Sequence, residues 1–194
     1  DTRYATEVLV SRPGRTTNKN NAINWNSGNG FNEYEQYYTV YAKQSYTTSK
    51  VRDTTFSPEV DGVIPGVGFR KKPEEDFFVQ EGGLTISSGP EGIRDPENID
   101  DRDEVKVDFI GTALVVKEKY KPAYQFVGSR SGNHTFRIMA AKDNSFEYLL
   151  SSAWSEGAVY NNREDFAEYI AKTKLEYEGP VAARFVQSED ANVE

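Results

Sequence analysis

The chain has 194 residues, enough for one domain with a sizeable core, and carries 31 acidic against 23 basic side chains, a formal charge of −8. That surplus repels a phosphate backbone and argues against a nucleic-acid partner, and no apolar run approaches the ~20 residues of a membrane-spanning helix. The absence of cysteine excludes disulfides, thiolate metal sites and cysteine nucleophiles, while 12 Tyr and 11 Phe favour strands over helices.

Thr6 to Val10 reads as a short strand, and Arg12 to Asn32, rich in Asn, Gly, Thr and Ser around Trp25 and Phe31, as a long loop. From Glu33 to Tyr46 the pattern alternates. Tyr34, Tyr38, Val40 and Ala42 share one face and Glu35, Tyr37, Thr39, Tyr41 and Lys43 the other, the period of a strand. Val60 to Phe69 is apolar and glycine-rich, so Gly66 and Gly68 predict a bulge or a close backbone approach and Pro65 an edge or a bend. Short strands are expected at Asp76 to Gln80 and Leu84 to Ser87. Gly89 to Glu104, with seven acids and no periodicity, is expected to be an exposed loop.

Val105 to Val116 starts by alternating and then becomes continuously apolar, which predicts a strand entering the centre of a sheet. Ala123 to Val127, His134 to Ala140 and Phe146 to Ala153 follow as strands. The turn signals Ser129 to Gly132 and Lys142 to Ser145 separate them, as in an antiparallel meander. Arg163 to Thr173 is the one helix: Asn162 caps it, Glu164 and Asp165 occupy its positive first turn, and Phe166, Tyr169 and Ile170 form its apolar stripe. Pro180 to Gln187 reads as a last strand and Ser188 to Glu194 as an acidic tail. The pattern specifies a single all-β domain over residues 1–194, an antiparallel sandwich of eight to ten strands with one C-terminal helix.

His134 is the only histidine, so any triad or imidazole base must run through it, yet its parity with Phe136 and Ile138 turns it towards the core; both readings stay open. Asp95 to Glu104 offers oxygen ligands for calcium but lacks the glycine and ligand spacing of an EF-hand, and a solvated acidic loop explains it as well; no other metal site is indicated. Carbohydrate sites pair aromatic platforms with groups that bond hydroxyls. Trp25 in its Asn-rich segment, the Tyr37 and Tyr41 face, and Trp154 beside Glu156 supply that mixture, though each ring can equally serve the core.

Four segments, Gly66 to Arg70, Phe109 to Val116, Phe146 to Gly157 and Asp165 to Ile170, together resemble a bacterial domain family that accompanies pectin- and ulvan-degradation genes and is similar to galactose-mutarotase-like β-supersandwiches. The resemblance spans about residues 34 to 172, and members of that family are longer, so the chain is expected to be a C-terminal part completed by an N-terminal domain or partner chain. It implies an extracellular or periplasmic protein acting on uronic-acid polysaccharides or oligosaccharides as a lyase, hydrolase or dehydratase. β-Elimination at a uronate needs a base and a cation to neutralise the carboxylate. His134 and Tyr41 with Arg70, or less directly Arg137, would fill those roles. The alternatives are a non-catalytic carbohydrate-binding module using Trp25 and neighbouring tyrosines, and a structural subunit of a surface assembly.

Overall fold

The fold is organised around one strand that is buried on both sides. In the computed structural model, which describes residues 1–26, 30–55, 64–94, 104–128 and 132–179, the strand β8 (Glu104–Val116) places Ala113, Leu114, Val115 and Val116 at 0% exposure. Successive side chains of a strand point to opposite faces, so a continuous apolar run demands cover above and below. A three-stranded sheet supplies it on one side and a helix on the other. Leu114 and Val116 pack with Phe136, Ile138, Phe146 and Tyr148, whereas Ala113 and Val115 pack with Leu84, Leu149, Phe166 and Ile170.

Eight strands form the large antiparallel sheet in the order β1-β2-β3-β4-β11-β8-β7-β6. They are β1 (Arg3–Arg12), β2 (Arg15–Asn26), β3 (Phe31–Tyr41), β4 (Tyr46–Asp53), β6 (Phe77–Glu81), β7 (Leu84–Arg94), β8 and β11 (Ser145–Trp154). The small sheet holds β5 (Gly66–Arg70), β10 (Asn133–Arg137) and β9 (Ala123–Val127), in that order. The result is an all-β sandwich with, among the described residues, one α-helix, α1 (Arg163–Glu178), on the outer side of the large sheet. The side of the large sheet under the small sheet is here its inner face, the other its helix face.

Two expectations about loops are overturned. Arg12 to Asn32 is not a loop: the turn Pro13-Gly14 closes a hairpin between β1 and β2, and β2 pairs again with β3. Its Asn-rich composition lowers intrinsic strand preference, but two flanking ladders outweigh it. Of Gly89 to Glu104, the described part is likewise ladder, since β7 extends to Arg94 and β8 begins at Glu104; residues 95–103 lie outside the described residues. The predicted strand Pro180 to Gln187 and the tail beyond it also lie outside them.

Helix α1 begins where its cap predicts, with the Asp165 N–H donating to Asn162 Oδ1 at 2.9 Å. It runs five residues beyond Thr173 and seats Phe166 and Ile170, both 0% exposed, on β8. Gly111 makes that seat possible: a Cβ there would lie 2.6 Å from the Phe166 ring. At the β6–β7 turn Gly82 adopts φ +54°, and Gly83 sits so near the Val116 carbonyl that a side chain would collide with it.

Candidate functional site: an aromatic cleft beside the small sheet

Three strands cannot cover eight. Among the described residues, the small sheet sits over β8 and β11 and leaves the inner face of β1, β2 and β3 uncovered, with Tyr4, Val8 and Val40 exposed there. Strand β5 is an edge of the small sheet, bonded only to β10 among the described residues, and its free side borders the uncovered wing. A cleft of about 370 Å³ opens at this border, between Gly66 and Val67 of β5 and the inner faces of β3, β4 and β11. It continues along β5 into a shallower trough lined by Tyr38, Val40, Gly68, Phe69 and Leu150.

Aromatic rings line the cleft, and a bulge puts one of them there. Ala22 pairs with Tyr34 but Trp25 with Asn32, so one residue of β2 is unmatched, and Asn24 takes φ 55° within the bulge. Asn tolerates that left-handed conformation better than most side chains. Without the extra residue Trp25 would point to the helix face. With it, the indole stands on the inner face, edge-on to Tyr34 at 6.0 Å between centroids and 42% exposed. Tyr148 and Phe146 from β11 extend the apolar wall.

Polar groups converge on the same space. Gln36 donates through Nε2 to the Tyr148 hydroxyl at 2.8 Å and to Ser49 Oγ at 3.1 Å, which fixes the amide with its oxygen free among the bonds described. Asn32 and Asp53 complete the lining. Asp53, the last residue of β4, is the one carboxylate of the described lining; no cation or hydrogen-bond donor contacts it there, and burial alone pushes its pKa up to about 6. Tyr34 and Tyr38 are raised for the same reason, with burial again the largest cause. The site therefore offers stacking surfaces, an amide oxygen and a carboxyl that exchanges its proton near neutrality.

His134 lies elsewhere, in a clasp between the two sheets. It is 4% exposed, with Nε2 hydrogen-bonded to Glu75 Oε2 at 2.8 Å and Nδ1 to the Tyr124 hydroxyl at 2.9 Å. Ser87 donates to the same Glu75 oxygen, and Phe78 stacks on the imidazole at 4.4 Å and 20°, with Phe69 and Phe126 at its flanks. Both ring nitrogens are thus committed within the protein. The inward parity read from the sequence holds, and the histidine ties β10 to β7 rather than opening onto the cleft.

The proposed trio of His134, Tyr41 and Arg70 does not converge, because alternation sends the three to different surfaces. Arg70 follows Phe69, the residue opposite His134, and so points out from the small sheet; Arg137, also exposed, shares that outer face. Tyr41 and Tyr37 stand on the helix face, in a separate groove with Tyr46, Tyr177 and the Lys117–Glu147 ion pair of 2.9 Å. Trp154, 44% exposed, closes β11 six residues past Tyr148, about 20 Å away at ~3.4 Å per residue, and Glu156 is exposed in the turn beyond. Of the residues singled out from the sequence, Trp25 alone lines the cleft. Asp53 and Gln36 carried no motif, and β4, which bears Asp53, was not distinguished from its surroundings because Tyr46 to Asp53 shows no apolar alternation.

Among the described residues no group of three or more His, Asp or Glu side chains could hold a metal ion, and most of the acidic segment considered for calcium lies outside them. No helix there is long and apolar enough to cross a membrane. Neither a curated protein nor a solved structure matches the chain. One family model does, described as a domain of unknown function (DUF4861), over residues 3–182. With nearly its whole length matched, the chain belongs to the DUF4861 family.

Proposed function

We propose that this domain binds carbohydrate in the cleft between β5 and the wing formed by β2, β3 and β4, as part of an extracellular or periplasmic protein that handles oligo- or polysaccharides. The observation that carries the reading is Trp25: a bulge turns a large ring onto the inner face, leaves it partly exposed and surrounds it with Tyr34, Tyr148, Gln36 and Asp53. Sugar rings present C–H groups on one face and hydroxyls around the rim. A partly exposed indole with amide and carboxyl groups beside it matches both features. The trough beyond the cleft, running along the free edge of β5, suits a chain of several residues better than a single sugar.

A catalytic role is the second reading, favoured by Asp53. A carboxyl that holds its proton to about pH 6 can act as a general acid towards a glycosidic oxygen. Hydrolysis through paired carboxylates would need a second one, and uronate elimination a cation, from outside the described lining. Binding is accordingly the primary claim.

The test is calorimetric titration with a panel of neutral and acidic oligosaccharides, repeated with Trp25→Ala. Loss of the stacking surface is expected to weaken binding by about tenfold or more, equivalent to ~1.4 kcal/mol or above. Undiminished affinity in Trp25→Ala, or no binding to any glycan at millimolar concentration, contradicts the reading.

A further inference from the structure

Asp53 bears on which sugars the cleft admits. It lines the cleft on the inner face, opposite Tyr34 on β3. Among the described residues, the elements packed around it supply no compensating charge. Strand β2 contributes Trp25, β3 contributes Asn32, Tyr34 and Gln36, β11 contributes Phe146 and Tyr148, and β5 contributes Gly66 and Val67. The neighbouring cation, Arg52, follows the strand alternation to the helix face, where Glu35 and Ser145 are its cross-strand partners. Arg137, opposite Gly66, points away on the outer face of the small sheet.

We infer that the cleft selects uncharged glycans and excludes uronates while Asp53 is ionised, accepting a uronate only when Asp53 takes up a proton. The inference rests on the carbohydrate reading above and names the substrate class of the same site. Two carboxylates cannot share a partly desolvated cleft without a cation or a proton between them. A sugar hydroxyl, by contrast, can donate to the carboxylate or accept from the acid, so a neutral ligand is served by both states of Asp53. This runs against the uronic-acid preference implied by the family resemblance, and the difference lies in the chemistry of the cleft wall.

The probes are matched pairs of oligosaccharides, each a neutral chain and its C6-oxidised uronate in the gluco, galacto and manno series, titrated into the full chain at pH 5 and pH 8. Sugar carboxyls have ordinary acid strength and stay ionised at both values, so the change in pH acts on the protein side. For a series that binds, the neutral chain is expected to keep its affinity within a few-fold at both pH values. Its uronate should bind at pH 5 and weaken by roughly 100-fold at pH 8, one decade for each unit above the midpoint. Asp53→Asn should bring the uronate affinities at the two pH values together. A uronate that binds as tightly at pH 8 as at pH 5, or a pH dependence that survives in Asp53→Asn, overturns the inference and leaves the carbohydrate reading standing. Failure of every neutral and acidic chain to bind overturns both.

Discussion

At the scale of single residues, Asp53 joins the cleft to the stability of the fold. Its carboxyl ordinarily titrates near 3.8 and is pushed up to about 6 by burial, so folding favours the protonated form. For a group with a raised folded pKa the favourable contribution is complete below the unfolded value and is lost as pH rises through the folded one. The wild-type chain should therefore lose stability at this site between about pH 4 and pH 6 and remain lower above it. Asp53→Asn, which cannot ionise, should be more stable than wild type at pH 8 by about 1–3 kcal/mol and nearly equal to it at pH 4. Urea unfolding at the two pH values measures the difference, and equal stability at pH 8 would show that the carboxylate is well solvated. His134 is the contrasting case: its inward parity was legible in the alternation with Phe136 and Ile138, but its partners Glu75 and Tyr124 come from the β5–β6 connection and β9, and Ser87 of β7 joins it only through Glu75. No local pattern encodes such a meeting. A lone histidine therefore invited a chemical role that its buried geometry turns to joining the sheets.

At the scale of elements, the well-read segments are those whose burial is one-sided or complete. Strand β8 was legible because cover on both faces requires an unbroken apolar run, β10 because turn signals bracket it, and α1 because Asn162 and the two acids behind it mark a helix start. β2 and β4 were not legible: one wing face meets little of the described protein, so polar residues such as Asn18, Asn20 and Thr47 are tolerated and pairing with neighbours decides the conformation. The bulge that aims Trp25 was hidden for the same reason, being a mismatch between two strands and not a property of either. The contact between α1 and β8 makes a sharper test. Gly111→Ala places a methyl group against the Phe166 and Phe109 rings, inside normal contact distance, and should cost about 1–3 kcal/mol in urea or thermal unfolding. Wild-type stability in that variant would mean that α1 is not seated closely on β8.

At the scale of the whole molecule, the unequal sizes of the two sheets make the cleft. A three-stranded sheet centred on β8 and β11 protects the core and stops short of the wing, and the step between them creates a concave border with a free strand edge along one side. Composition and periodicity indicated a sandwich but not where one sheet ends above the other, which depends on strand order. The carbohydrate site proposed above accordingly draws on one cleft around Trp25, Tyr34, Gln36, Asp53 and Tyr148, whereas the other residues singled out from the sequence are scattered over separate surfaces. Backbone amide NMR during titration with a neutral oligosaccharide tests that location most directly. The account predicts shifts that cluster at Trp25, Tyr34, Gln36, Asp53, Gly66 and Tyr148, whereas shifts centred on Tyr37, Tyr41 and Tyr177 of the helix-face groove would contradict it.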